Sequence, residues 1–130
     1  HNSEIDQMIK RYTKQKFNYI FTPHLSPMFK GILSTIYVEL KNKNSINRLY
    51  KELFNFYKKS QFVKVKKMNS LISTNEVINT NNCYISICKT KYKNKAIILS
   101  SVDNLIKGGA GQAVQNMNIL YNFNNREGLK

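Results

Sequence analysis

A chain of 130 residues, 42% of them hydrophobic, suits one domain, or a piece of a larger one, with a modest single core. No run approaches the roughly 18 to 20 apolar residues of a membrane span, and the polar start His1-Asn2-Ser3-Glu4 carries no secretory signal pattern. The net charge of +14 raises nucleic acid as a partner, but only Arg11, Arg48 and Arg126 are arginines and the lysines are scattered along the chain. A nucleic-acid footprint clusters arginine and aromatics on one surface. The charge is therefore read as a drift toward Lys, Asn, Ile and Tyr, and nucleic acid is not the expected partner.

Ser3 can cap a first helix whose apolar face is Ile5, Met8, Ile9 and Tyr12. Phe17 to Phe21 reads as a short strand. The segment TPHLSPMFKG, Thr22 to Gly31, carries both prolines and must be irregular. Ile32 to Leu40 alternates as a half-buried strand, with Ile36, Val38 and Leu40 on one face and Thr35, Tyr37 and Glu39 on the other. A polar break, KNKNS, follows.

Ser45 opens the clearest helix, with Ile46, Leu49, Tyr50, Leu53 and Tyr57 at helical spacing. Phe62 to Lys66 is a short strand suited to an edge, since its lysines guard against further pairing. STNE, Ser73 to Glu76, matches a capping box before a short helical turn. Cys83 to Thr90 and Lys95 to Val102 read as a hairpin around Lys91-Tyr92-Lys93-Asn94. A last helix runs through Gln112, Ala113, Val114, Asn116, Met117 and Leu120. Hairpins plus helices, without steady βαβ alternation, predict an α+β fold with a mainly antiparallel or mixed sheet and helices packed on one face.

The two cysteines, Cys83 and Cys88, fit no zinc spacing. An odd separation on a strand places them on opposite faces, so no mutual disulfide and no metal site are expected. A reducing cytoplasm is the default compartment.

Three of the five glycines, Gly108, Gly109 and Gly111, stand directly before the last helix. The spacing is that of neither a P-loop, because Lys107 precedes the glycines, nor a dinucleotide fingerprint. Two readings stay open for the turn: close packing, or free backbone N–H groups at a helix N-terminus facing an anion or a polar cofactor edge. His24 lies in the proline-bounded loop, and His1 stands just before a helix. Either imidazole could do acid–base work near neutral pH.

Two long stretches carry a resemblance. FTPHLSPMFKGILSTIYVEL, Phe21 to Leu40, and SSVDNLIKGGAGQAVQNMNILYNF, Ser100 to Phe123, resemble the signatures of the N-acetyl-gamma-glutamyl-phosphate reductase family, enzymes of arginine biosynthesis. HNSEIDQ resembles that family's His-Thr-Pro-Glu-Ile-Glu-Gln stretch, with Asn2-Ser3 in place of Thr-Pro. STNEV and NNCYISI match in the same order, so the likeness runs over essentially the whole chain.

The resemblance implies a catalytic and dimerisation domain like the C-terminal domain of glyceraldehyde-3-phosphate dehydrogenase. It implies a separate NADP-binding Rossmann domain and a cysteine nucleophile in a Gly-Cys-Tyr-Pro motif. Neither is present in these 130 residues, so the chain reads as residues 1–130 of a longer enzyme, inactive alone. The implied substrate is N-acetyl-glutamyl phosphate, reduced to its semialdehyde, and the implied assembly is a homodimer or tetramer. By the same resemblance, His1 is the acid–base or polarising partner of the thiol. His24 and Lys30 bind substrate, Lys30 standing where the family usually has arginine. Gly108, Gly109, Gly111 and Gln112 form the turn facing the nicotinamide, and Asn116 and Asn104 are lesser candidates, Asn116 for the cofactor. An aspartate-semialdehyde dehydrogenase-like enzyme is the runner-up, and a basic interaction module the reading from another class.

Overall fold

A computed structural model describes residues 1–15, 17–41 and 45–130 of the chain. In chain order the elements are helix α1 (Asn2–Tyr12), strand β1 (Ile32–Glu39), helix α2 (Ile46–Tyr57), strand β2 (Val63–Val65), a 3-10 turn (Thr74–Glu76), strands β3 (Cys83–Lys89) and β4 (Lys95–Val102), a π-type turn (Ile106–Ala110) and helix α3 (Gly111–Leu120). The expected polar break falls mostly on residues 42–44, outside the described residues. The fold is α+β, around one four-stranded mixed sheet in the order β1-β4-β3-β2.

The β3–β4 hairpin forms the middle of that sheet as its sequence predicts, pairing Cys83 with Val102 and Lys89 with Ala96. β1 joins β4 antiparallel, Ile32 opposite Val102 and Glu39 opposite Lys95. β2 lies at the other edge and runs parallel to β3, with Val63 opposite Cys83. Parallel pairing needs a crossover. The segment between β2 and β3 provides it, crossing the sheet face that carries Ser86 and Ser101. The Ser86 hydroxyl donates to the Ser70 carbonyl at 2.6 Å, and the Ser101 hydroxyl to the Ser73 carbonyl at 3.3 Å.

The core is small. Phe62, Ile72, Val77, Ile87 and Ala96 are its buried apolar residues, and all five lie on β3, β4 or the segments flanking β2 and the 3-10 turn. Full burial of a side chain the size of Ile87 stabilises by about 1.5–3 kcal/mol. Two cations lie over the Phe62 ring, Lys107 Nζ at 5.5 Å and Arg126 Cζ at 5.9 Å from the centroid. The C-terminal segment closes over this region: the Asn81 N–H donates to the Lys130 carbonyl at 2.7 Å.

Local signals are realised where they concern one element. Ser45 caps α2, its hydroxyl accepting the Arg48 N–H at 3.2 Å. The capping box forms in full, Ser73 accepting from Asn75 at 3.2 Å and Glu76 accepting from the Ser73 N–H at 3.1 Å. Both cysteines are free, as expected.

Four expectations need correction. Ser3 does not cap α1; the helix begins at Asn2 with His1 at its cap, and no side chain bonds the cap. Phe17–Phe21 forms no strand, because no other strand pairs with it. It is held instead by the Tyr19 hydroxyl, which donates to Asp6 Oδ1 and to the Asn2 carbonyl, each at 3.0 Å. In β1 the expected inward face is only partly covered: Ile36 is 45% exposed and Tyr37, on the other face, 79%. The strand is at the sheet edge. In α3 the residues buried are Gly111 and Asn118, while Met117 and Leu120 of the apolar stripe are exposed.

Candidate functional site

The residues singled out in sequence fall into two groups. The first is built on α1 and the loop beyond it. His1 Nδ1 lies 3.3 Å from Glu4 Oε2, one helical turn on, and the His1 ring meets Phe21 edge-on with centroids 6.0 Å apart. His24, exposed in the same loop, has its Nδ1 3.2 Å from the Thr22 carbonyl. Two consecutive residues thus meet the two imidazoles, Phe21 that of His1 and Thr22 that of His24. The Tyr19 phenol is pushed above its ordinary range by desolvation and by its bond to the Asp6 carboxylate.

The second group lies where the proline-bounded loop enters β1 and where β4 ends. Lys30 Nζ donates to Asn79 Oδ1 at 3.3 Å. Gly31, at φ +109°, takes a left-handed conformation that favours glycine, and a Cβ there would stand 2.7 Å from the Thr74 side chain. Its N–H donates to Asn104 Oδ1 at 2.9 Å.

The neighbouring Asp103 is fully buried, at 0% exposure. Its Oδ2 accepts the Asn79 N–H at 2.8 Å, and its Oδ1 accepts the N–H groups of Leu105 at 2.8 Å and Ile106 at 3.0 Å. Burial by itself raises the Asp103 carboxyl. The three N–H donors, with Lys30 nearby, outweigh it and hold the group below its usual range.

The glycine turn hangs from this aspartate. Gly108 N–H donates to the Asp103 carbonyl at 2.9 Å and Ala110 N–H to the Leu105 carbonyl at 3.0 Å, rings one residue wider than an α-helix makes. The Gly111 N–H is also spent inside the chain, on Gly109 and Ile106 carbonyls. The expectation of free N–H groups at this helix start is thus corrected for Gly108 and Gly111: their donors turn inward, because the wide turn consumes them. Gly111 is buried against Asn81 and Ile106, where a Cβ would meet Asn81 Oδ1 at 2.6 Å. Its role is close packing. Gly108 and Gly109 are exposed, with only backbone oxygens 3.5 Å from where a Cβ would stand. Beyond them Gln112 Nε2 donates to Asn116 Oδ1 at 2.9 Å, which leaves the Gln112 carbonyl and the Asn116 amide as polar groups along the outer side of the turn.

Behind the turn is a polar cluster that sequence reading missed. Lys107 Nζ at 2.7 Å and Asn81 Nδ2 at 3.0 Å both donate to Gln115 Oε1. Burial lowers the Lys107 ammonium, partly opposed by Cys83. Glu4 and Asp103 were missed as well. Each carried a signal: Glu4 stands three residues after His1 on a helix, and Asp103 stands directly before a helical turn, where aspartate accepts backbone N–H groups. No hydrogen bond or ring pair joins His1 to the glycine turn among the described residues, and no cluster of three or more of the described His, Cys, Asp and Glu residues could hold a metal ion. No helix of the described residues is long and apolar enough to cross a membrane.

Comparison with known proteins bears on this geometry. Residues 1–104 match the family model described as semialdehyde dehydrogenase, dimerisation domain. Among curated relatives, an N-acetyl-gamma-glutamyl-phosphate reductase of Clostridium botulinum (strain Eklund 17B / Type B) is 43% identical over 129 residues, covering 99% of this chain and 38% of the relative. One from Staphylococcus aureus (strain MRSA252) is 42% identical over 130 residues, covering 100% of the chain and 38% of the relative. One from Thermoanaerobacter pseudethanolicus (strain ATCC 33223 / 39E) is 41% identical over 129 residues, with coverages of 99% and 38%. The chain thus spans little more than a third of the length of the relatives it matches.

Proposed function

The chain belongs to the semialdehyde dehydrogenase dimerisation-domain family, and from that premise we propose that it serves as the catalytic and dimerisation part of an NADP-dependent N-acetyl-gamma-glutamyl-phosphate reductase. The observation that carries this reading is the identity of 41–43% to reductases of that name over the whole chain. The reading places the enzyme in the cytoplasm, as a homo-oligomer, with a small acyl phosphate as substrate.

In this reading a thiolate, contributed by sequence outside these 130 residues, attacks the acyl phosphate carbonyl and phosphate leaves. A nicotinamide cofactor, when bound, would supply the hydride needed to take the resulting thioester to the aldehyde, with return of the thiolate. His1 holds or moves the proton at the thiol and polarises the carbonyl oxygen, steadied by Glu4 at 3.3 Å. His24 and Lys30 recognise the substrate's polar and anionic ends. Lys30 does so as a point charge, without the paired geometry an arginine offers.

Exposed Gly108 and Gly109, with Gln112 and Asn116 beyond, give the cofactor a smooth, uncharged face. Gly111 supports that face from beneath by letting α3 pack closely. Inward-turned N–H groups suit a nicotinamide ring and its carboxamide better than a pyrophosphate, which needs free donors. The reading is tested by assaying the reductase that contains this chain. It must reduce NADP in the presence of both N-acetylglutamate semialdehyde and inorganic phosphate. A purified, folded enzyme that does not do so overturns it.

A further inference from the structure

The loop that carries Lys30 and the turn that carries Gly108 and Gly109 are joined through two consecutive residues, Asp103 and Asn104. The links close a ring. Lys30 Nζ donates to Asn79 Oδ1 at 3.3 Å, the Asn79 N–H donates to Asp103 Oδ2 at 2.8 Å, and Asn104 Oδ1 accepts the Gly31 N–H at 2.9 Å. The peptide bonds Asp103–Asn104 and Lys30–Gly31 complete the circuit. The other Asp103 oxygen holds the first two N–H groups of the glycine turn.

Within this ring Asn104 is the link to the loop. It is exposed, so its side chain fills no core volume. Its carbonyl bonds a residue seventy-three positions away in sequence. What it fixes is an orientation. A peptide group is planar, so holding the Gly31 N–H also sets the direction of the Lys30 carbonyl and the plane in which the Lys30 Cα lies, the atom from which its side chain departs. Gly31 has little room to move otherwise, with Thr74 where a side chain would stand.

We infer that Asn104 is a positioning residue for substrate: through the Gly31 N–H it sets where the Lys30 ammonium stands relative to the glycine turn. The inference rests on the functional reading above and deepens it. Asp103 anchors the ring to the turn, and Asn104 carries the register to the loop.

The test compares wild type, Asn104→Ala and Asn104→Asp in the reductase containing this chain, with inorganic phosphate and NADP as the two varied ligands. Asn104→Ala removes the acceptor. The KM for phosphate should rise about fivefold, the worth of roughly one neutral hydrogen bond, while the KM for NADP stays within about twofold. Asn104→Asp keeps an acceptor at the same place and should restore the phosphate KM. Amide exchange should quicken at Gly31 in Asn104→Ala and stay slow at Ile98 in the sheet.

An unchanged phosphate KM in Asn104→Ala overturns the inference, as does an equal rise in both KM values, which would mean general loosening. Failure of the aspartate variant to restore the phosphate KM also overturns it. A wild-type enzyme with no phosphate-dependent reaction overturns the functional reading and this inference with it. An active wild type with an indifferent Asn104→Ala overturns this inference alone.

Discussion

Asn81 and Gly111 are in contact so close that no side chain could stand between them: a Cβ on Gly111 would meet Asn81 Oδ1 at 2.6 Å and Ile106 Cγ2 at the same distance. Asn81 is fully buried, and its Oδ1 has no hydrogen-bond partner among the described residues. The approach lets α3 start directly against the β3 entry. Gly111→Ala must push that entry aside, a crowding effect of about 1–3 kcal/mol. Urea unfolding of the variant and wild type measures it. Gly108→Ala, whose Cβ would find only a backbone oxygen at 3.5 Å, should cost less than Gly111→Ala in the same assay.

Asp103 makes stability depend on acid. Its folded carboxyl is depressed, so the stability it contributes is fully present above the unfolded value of about 3.9 and is lost as pH falls through the lower, folded value. Asp103→Asn should lower stability at pH 7 by about 1–3 kcal/mol, since a buried set of N–H groups loses part of its acceptor. The difference from wild type should shrink as pH is taken from about 5 toward 2. Glu76, also depressed by its bond to Lys66, titrates in both proteins and cancels in the difference. Denaturant midpoints across that pH range decide the matter. A gap that does not narrow would count against the assignment.

The caps of two short elements predict unequal effects. Ser45→Ala removes the acceptor for the Arg48 N–H and should cost about 1 kcal/mol. Ser73→Ala breaks a reciprocal pair, and the Ser73 carbonyl also receives the Ser101 hydroxyl, so loosening there should reach the sheet. Hydrogen exchange reads this directly: faster exchange confined to α2 in the first variant, and extending to β4 in the second.

His1 gives the sharpest functional expectation. His1→Asn in the complete reductase should reduce kcat by about 10²–10⁴, the usual weight of a positioned acid–base group. Glu4→Gln should reduce it less, with the KM for NADP unmoved in both. Steady-state kinetics with phosphate and semialdehyde saturating would reveal a negligible loss at His1, which would remove it from the role proposed.

What the sequence made legible was local. The hairpin, α2 with its serine cap and the capping box at Ser73 each rest on contacts within a few residues, and spacing encodes them. Phe17–Phe21 looked like a strand because its composition suits one, yet strand formation needs a partner and the sheet offers it none. The parallel docking of β2 on β3 depends on the path of the crossover between them, to which periodicity is blind. The π-type turn reads as glycine-rich irregularity until Asp103 is seen to set it. The same holds at the candidate site. The residue types at His1, His24 and Lys30 were readable from a family likeness. The pairing of Asn104 with Gly31 and of Lys30 with Asn79 was not, because each spans dozens of residues.

The two borders of the sheet are not alike. β2 offers only three residues, with Lys64 and Lys66 drawn across the ring of Tyr84. β1 offers eight residues, free of lysine and proline, and among the described residues only β4 pairs with it. Growth of this sheet is therefore one-sided. Whatever adds a strand, be it a further stretch of polypeptide or an identical molecule, has a single docking border of useful length. Two copies meeting there by a two-fold axis would use up that border on both, and the assembly would stop at a pair instead of running on as a fibre.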